Sequence, residues 1–389
     1  MTAITQVSLT RLRWQQTGRA MDASGFYPVA SEDGVRTVTG YVLRIATDAG
    51  VEGQHTWTTG VNGLAAAQIE SIAGWLVGQD PFRREYLWTT LQRAWRKYDR
   101  LGIGPIDIAL WDIAGKAYGV PVSQLLGGWK DRLPAYASTL HGDESGPLSS
   151  PKDYAEFAAE CRRLGYRAFK VHGWNDGSLA REIETVHAVR DAVGPDVALM
   201  LDPACAYVTF ADALTVGRAV DEAGYFWYED PYQEGGVSAH AHRRLRELLR
   251  TPLLMGEHVR GFSAHVDQVV AGGTDFVRAD AGLDAGITGA MKLAHAAEGF
   301  GLDVELHGPG PAHRHCMSAI RNTNYYELGL VAPSLHSVSD GFPVYADFRD
   351  DLESVDADGT VDVPTGPGLG VTLDEEWIAA HEVETFVAE

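Results

Sequence analysis

The chain has 389 residues, about 42 kDa, and carries 32 Lys and Arg against 53 Asp and Glu, a net charge of −21. That charge argues against nucleic acid and anionic membranes as partners, since both need a basic surface; a small anionic substrate is compatible with it where a buried metal reverses the local sign. The length gives room for roughly two to three domain equivalents and a core that needs no staples.

The first segment, MTAITQVSLTRLRWQQ, lacks the apolar core of a signal peptide, and no stretch approaches the roughly 18 apolar residues of a membrane span. Cys161, Cys205 and Cys316 are odd in number and far apart, so neither a disulfide framework nor a thiolate metal site is expected. A cytoplasmic location follows as the simplest expectation. Residues 11–34 show no clear period and read as a long loop, which in a compact protein is often functional. Residues 37–48 are rich in β-branched and aromatic side chains and run through Asp48-Ala49-Gly50 into a second extended stretch, Val51 to Trp57, a hairpin pattern.

Residues 62–130 read as helices. Residues 65–76 form one, and 105–119 another that is apolar on more than one side, as a buried helix is. Gly119 and Pro121 signal its end. From about 134 to 335 short apolar runs alternate with helical stretches. The runs are 167–171, 197–201, 225–228, 252–255, 275–278 and 302–306, with 136–140 as the first strand of the series. Such alternation predicts βαβ units and a parallel sheet.

Polar residues close these runs. Lys170 and His172 end the first, Asp202 follows the second, Glu229 the third, Glu257 the fourth, Asp280 the fifth and His307 the sixth. They are spaced by about one βα unit, so all would face one mouth of a barrel. A single acid at a strand end is most often a helix-start or loop residue. Three in succession, Asp202, Glu229 and Glu257, would repel one another strongly. A divalent cation removes that penalty, and all-oxygen ligation favours Mg²⁺.

With these motifs in hand, the chain resembles the enolase superfamily, in its mandelate racemase subgroup. Residues 106–116 (IDIALWDIAGK) followed by 121–128 (PVSQLLGG) match the helix preceding the barrel, the three acids match the metal ligands, and 280–289 with 305–307 match an Asp-then-His pair. Glu327 falls where the subgroup places a carboxylic acid beside the substrate, and 366–371 matches the C-terminal segment. The resemblance implies an α/β fold, a modified (β/α)7β barrel of the TIM type, capped by an α+β N-terminal domain. It places the cap at 1–130, the barrel at 131–345, and a segment returning to the cap at 346–389.

The resemblance also implies a chemistry: Mg²⁺-dependent removal of the proton α to a carboxylate through an enediolate. His307 is the candidate base, oriented by Asp280, and Glu327, if protonated, donates a hydrogen bond to the carboxylate. The subgroup's second Lys is replaced here by His172, which with Lys170 would work from the opposite face, as a base or as a substrate hydrogen-bonder. Dehydration of a sugar acid, an aldonate or aldarate, to a 2-keto-3-deoxy acid is the leading expectation. A racemase, an epimerase, or a cycloisomerase of an anhydro-sugar or lactone is the alternative, and a silent binding barrel would be expected only without the acids. His141, at the end of the first barrel strand, and Arg19 and Tyr27, in what would be the lid, are candidate substrate contacts. His313 and His315 are possible contacts as well. The expected partners are a small carboxylate substrate and further copies of the chain in a homo-oligomer.

Overall fold

Strand β1 (Ile4–Thr17) and strand β2 (Val35–Thr47) pair antiparallel, with Ile4 opposite Thr47 at one end and Thr17 opposite Val35 at the other. The computed structural model describes residues 2–17, 35–58, 62–144, 146–174, 176–232, 237–333 and 343–389. Residues 11–17 are therefore strand, not the opening of a loop. Leu12 and Trp14 are buried while Arg13 and Gln15 are exposed, a period of two that the surrounding polar side chains hide in the sequence. Strand β3 (Glu52–Trp57) lines the other edge of β2, and Gly50 (φ +74°) supplies the left-handed turn between them.

Three helices cover this sheet: α1 (Asn62–Leu76), α2 (Arg84–Ala94) and α3 (Ile103–Tyr118). Val7, Leu43 and Ile45 of the sheet meet Ile69, Leu91 and Ile106 of the helices in one core. Helix α3 is buried around most of its circumference, as its sequence requires, and stops at left-handed Gly119, whose N–H bonds the last carbonyls. A single turn, α4 (Val122–Leu125), leads into the second layer.

That layer begins with β4 (Arg132–Thr139) and α5 (Pro151–Leu164), then β5 (Ala168–His172) and α6 (Leu179–Val193). It continues with β6 (Ala198–Asp202), α7 (Phe210–Ala223), β7 (Trp227–Glu229) and α8 (Ala239–Leu248). Next come β8 (Leu253–Met255), α9 (Phe262–Val270), β9 (Phe276–Ala279) and α10 (Gly286–Gly299). The series ends with β10 (Asp303–Leu306), α11 (Pro311–Ala319) and β11 (Tyr326–Val331). Seven strand–helix units and a final strand give the expected (β/α)7β order.

The strands are parallel, in the order β10-β9-β8-β7-β6-β5-β4-β11. Glu305 bridges β10 to the chain entering β11: its carboxylate accepts from the N–H groups of Asn324 (3.0 Å) and Tyr325 (3.2 Å). Strand β12 (Thr360–Asp362) adds to β4, helix α12 (Glu375–His381) follows, and β13 (Glu382–Ala388) joins β1, so the first sheet runs β13-β1-β2-β3.

Inside the barrel, period-two alternation sorts the side chains into layers. The lowest is apolar: Tyr136, Ala168, Met200, Trp227, Leu254 and Phe276. Two residues further along each strand stand Ser138, Lys170, Asp202, Glu229, Gly256 and Arg278, all buried. His172 and Asp280 lie two residues further still, at the mouth.

The helix α3 motif fastens the two layers. Asp107 accepts from Thr288 N–H (2.9 Å) and Oγ1 (2.7 Å) on α10. Asp112 accepts from Leu369 N–H (2.7 Å) and Gln54 N–H (2.9 Å). Gly104 lies against the Gly282 carbonyl so closely that a Cβ there would sit 2.1 Å from its oxygen. Asp107 thus ties helix α3 to barrel helix α10, and Asp112 ties it to β3 and to the C-terminal segment.

Candidate active site

The parallel sheet delivers Asp202, Glu229 and Glu257 to one side of the barrel mouth. Each offers an oxygen, and the three oxygens lie within 4.8 Å of one another. Glu229 is fully buried, its Oε2 accepts from Trp227 Nε1 (3.1 Å) and Lys170 Nζ (3.1 Å), and its Oε1 has no hydrogen-bond donor. The adjacent Asp230 is 1% exposed, and neither of its carboxylate oxygens has a donor. Asp230 also forms an overlapping group with Glu257 and His258. Burying acids without donors is expensive; Glu229 Oε1 has only Arg278 Nε at 2.9 Å, outside hydrogen-bond geometry, and a hard cation would relieve the repulsion among the clustered acids. The residues fit Mg²⁺.

Lys170 lies below, with Nζ 3.1 Å from Asp202, 3.1 Å from Glu229 and 3.0 Å from Glu327. Burial alone would discharge it, but the Glu229 and Glu327 charges prevail and hold the amine protonated. Glu327 is likewise held ionised: burial opposes this, and Lys170 and Arg278 outweigh burial. Its Oε2 accepts from Arg278 Nη2 (2.7 Å) and Gly308 N–H (2.8 Å). The donor role expected of Glu327 requires a protonated carboxyl, whereas here Lys170 faces its Oε1 and Arg278 its Oε2.

Across the mouth, His307 Nδ1 donates to Asp280 Oδ2 at 2.8 Å. Asp280 Oδ1 accepts from Gly282 N–H (2.6 Å) and Leu283 N–H (3.1 Å). The turn after β9 thereby fixes the carboxylate, and the carboxylate fixes the imidazole. His307 Nε2 points back toward the acids, 3.5 Å from Glu257 Oε1. Burial lowers its basicity, but Glu257 and then Asp280 push the imidazole up to about 9. Asp280 itself is drawn well below the usual carboxylate range, against burial, by the adjacent histidines His307 and His313.

His172 sits on the opposite flank. Its Nδ1 faces the Thr139 carbonyl (2.6 Å) and its Nε2 faces Asp202 Oδ2 (3.1 Å), so both ring nitrogens are engaged with acceptors. His141 is packed on it, ring centroids 4.9 Å apart, with Nδ1 3.0 Å from the Gly173 carbonyl. Arg19 and Tyr27 lie outside the described residues.

His313 Nε2 accepts from Ala281 N–H (3.2 Å) and lies 3.4 Å from Asp280 Oδ1. His315 is different. It is fully buried, accepting from Ser123 N–H (3.1 Å) and facing the Leu369 carbonyl (2.9 Å), and burial lowers its imidazole to about 4. It is a core residue, which corrects the expectation of a substrate contact.

Sequence reasoning missed Asp230, beside the acids, and two further residues. Arg278 is completely buried and touches Glu229, Glu327 and Tyr136. The signal was its position two residues before Asp280 on one strand, hence on the same inward face. His55, on cap strand β3, is lowered to about 3 by burial and then by the charge of His313, while Asp280 opposes both. It stacks on Trp57 at 6.0 Å. Nothing in the hairpin's sequence tells that it faces the barrel.

Among the described residues no helix is long and apolar enough to cross a membrane. Residues 153–377 match the family described as enolase C-terminal domain-like, and residues 28–127 match the mandelate racemase / muconate lactonizing enzyme N-terminal domain. The chain is 32% identical over 324 residues to D-galactarolactone cycloisomerase of Agrobacterium fabrum, covering 80% of this chain and 83% of that one. It is 30% identical over 360 residues to D-galactonate dehydratase of Xanthomonas axonopodis pv. citri, covering 86% and 89%. D-glucarate dehydratase from Agrobacterium tumefaciens, solved in complex with magnesium, superposes with a TM-score of 0.86 at 30% identity, covering 98% of this chain and 99% of that one.

Proposed function

Because the chain belongs to the enolase superfamily, through the mandelate racemase / muconate lactonizing enzyme family, we propose that it is a Mg²⁺-dependent hydro-lyase acting on a sugar acid. The observation that carries this reading is the His307–Asp280 pair (2.8 Å) set beside the acids Asp202, Glu229 and Glu257. When bound, the ion supplies fixed positive charge for the substrate carboxylate, whose α-proton is otherwise too weakly acidic to lose.

The chain's own residues do the rest. Asp202, Glu229 and Glu257 hold the ion. With the Glu257 charge that raises His307 taken up by the ion, the imidazole gives up its Nε2 proton more readily; Asp280 then keeps the remaining proton on Nδ1 and leaves the Nε2 lone pair for the substrate's C2 proton. The imidazolium then returns that proton to the C3 hydroxyl as it departs, releasing water and an enol that becomes a 2-keto-3-deoxy acid. One histidine serves both steps. His172 has both nitrogens engaged, which favours elimination over a two-base proton transfer. Lys170 and Glu327 keep the floor beneath the reacting carbon charged and ordered. His141, His313 and His55, together with Arg19 and Tyr27, are proposed to meet the sugar hydroxyls.

Cycloisomerisation of a sugar lactone is the second reading, favoured by the 32% identity to a galactarolactone cycloisomerase. The test is keto-acid formation with Mg²⁺ across a library of aldonic and aldaric acids, with lactones run in parallel. A keto acid from one member supports the hydro-lyase and names its substrate. Consumption of a lactone with no keto acid from any acid moves the assignment to the isomerase. Neither product, and no α-proton exchange in D₂O, would refute both. A homo-oligomer remains part of the proposal and is read by sedimentation.

A further inference from the structure

Arg278 is the largest charged side chain sealed inside this barrel, with no exposure at all. A buried guanidinium is costly unless its fork is matched. Here it reaches four strands. Nη2 bonds Glu327 on β11 at 2.7 Å and Tyr136 on β4 at 3.1 Å. Nη1 bonds the Leu306 carbonyl on β10 at 3.3 Å, one residue before His307. Nε faces Glu229 Oε1 on β7 at 2.9 Å, off the line of a hydrogen bond.

These contacts join the two halves of the site. Glu229 belongs to the metal set, whereas Glu327 holds Lys170 and the N–H of Gly308, which directly follows His307. A simple counter-charge would need only proximity to the acids. The side chain instead uses its planar fork to reach β4, β7, β10 and β11 at once, which an ammonium cannot do.

We propose that Arg278 is a positioning residue that locks Glu229 in the orientation needed for the metal and, through Glu327, sets Lys170 and the turn carrying His307. The inference rests on the metal reading given above and on no particular substrate.

The test is Mn²⁺ affinity, measured by electron paramagnetic resonance of free Mn²⁺ in the full chain without substrate. Arg278→Lys keeps the charge and loses the fork. It is expected to weaken Mn²⁺ binding by about 10–100-fold, the usual effect of losing a partner behind a metal ligand, with the melting transition still cooperative. If Arg278 were a counter-charge only, Arg278→Lys would bind as the wild type does and Arg278→Gln would bind more tightly, because a cation beside the site has gone. That pair of results overturns the proposal.

Should Arg278→Lys fail to fold, Glu327→Gln carries the test, since it removes the other end of the lock and should weaken binding over the same range. Wild-type affinity in a folded Glu327→Gln protein overturns the proposal equally. Where both single variants fold, the double variant should bind no worse than the weaker single one; fully additive losses count against a shared lock. A wild-type chain that binds no Mn²⁺ refutes the metal reading itself, which separates that failure from this one.

Discussion

Asp280→Asn probes the proposed base without touching a metal ligand. Asp280 Oδ1 accepts two backbone N–H groups, from Gly282 and Leu283, so that position must stay oxygen. Turning the amide nitrogen toward those donors would forfeit both hydrogen bonds, at about 1 kcal/mol or more each. The new NH₂ therefore takes the place of Oδ2, facing His307 Nδ1 at the present 2.8 Å. Being a donor, it forces Nδ1 to accept and moves the ring proton to Nε2, the nitrogen that must receive the substrate proton. The variant keeps the shape and reverses the tautomer. The analogous Asp-to-Asn change in the serine-protease triad costs about 10⁴ in kcat. We expect a fall of about 10³ to 10⁴ here, equivalent to about 4 to 5.5 kcal/mol at 1.36 kcal/mol per decade. Initial rates of keto-acid release, with α-proton exchange in D₂O as a second readout, measure it, and Mn²⁺ affinity and melting temperature should stay near wild type. A variant retaining more than about a tenth of wild-type kcat would refute the assignment of His307 as the oriented base.

Three further outcomes follow from the same geometry. In the metal-free protein His307 should titrate near 9, and its pKa should fall when Mg²⁺ is added because the ion takes up the Glu257 charge that raises it; an unmoved imidazole signal by NMR would mean that Glu257 is not a ligand. Glu182, buried beside Trp174, is raised from 4.5 to about 7, by burial first, with the Trp174 N–H opposing. The folded state thus holds its proton to higher pH than the unfolded one, so stability falls as pH climbs from 4.5 through 7, by about 3 kcal/mol in all. Glu182→Gln should flatten this slope in urea melts and exceed the wild type at pH 8, whereas equal slopes would show that the group does not titrate there. Gly104→Ala would push a methyl against the Gly282 carbonyl and should cost about 1–3 kcal/mol, with a loss of activity because that turn carries Asp280; an unchanged melting temperature would contradict the close approach.

The barrel and its acids were legible because a parallel strand buried on both faces writes itself as a short apolar run, and a polar residue ending such a run stands out. Asp202, Glu229, Glu257, Asp280 and His307 are all of this kind. Arg278 and Glu305 were not legible, since each lies inside a run where the eye reads packing. Only the strand limits, which fix which alternate residues face inward, reveal them. Strand β1 beyond Arg11 was missed for the converse reason: its pairing with β2, not its own composition, makes it strand. His315 and His313 look alike in sequence, two positions apart on α11. One faces the core and the other the mouth, a distinction set by helix phase. Lys170 and Glu327 lie side by side in the barrel, but the charge of Glu327 depends also on Arg278, which no local pattern announced.

Strand β13 has a consequence for how the protein is made. Its residues pair with β1, Val7 opposite Ala388 and Thr10 opposite Thr385, so the first sheet draws its outer strand from the far end of the described chain. On the ribosome, β1, β2 and β3 emerge early and must wait with β1's outer edge unpaired while the entire barrel is synthesised. An unpaired edge invites pairing with another nascent chain. The Leu369 N–H that seats on Asp112 arrives equally late. Completion of the first sheet thus waits until every barrel strand has been synthesised. A stop codon just before residue 382 would leave every barrel strand in place yet yield a chain prone to aggregate.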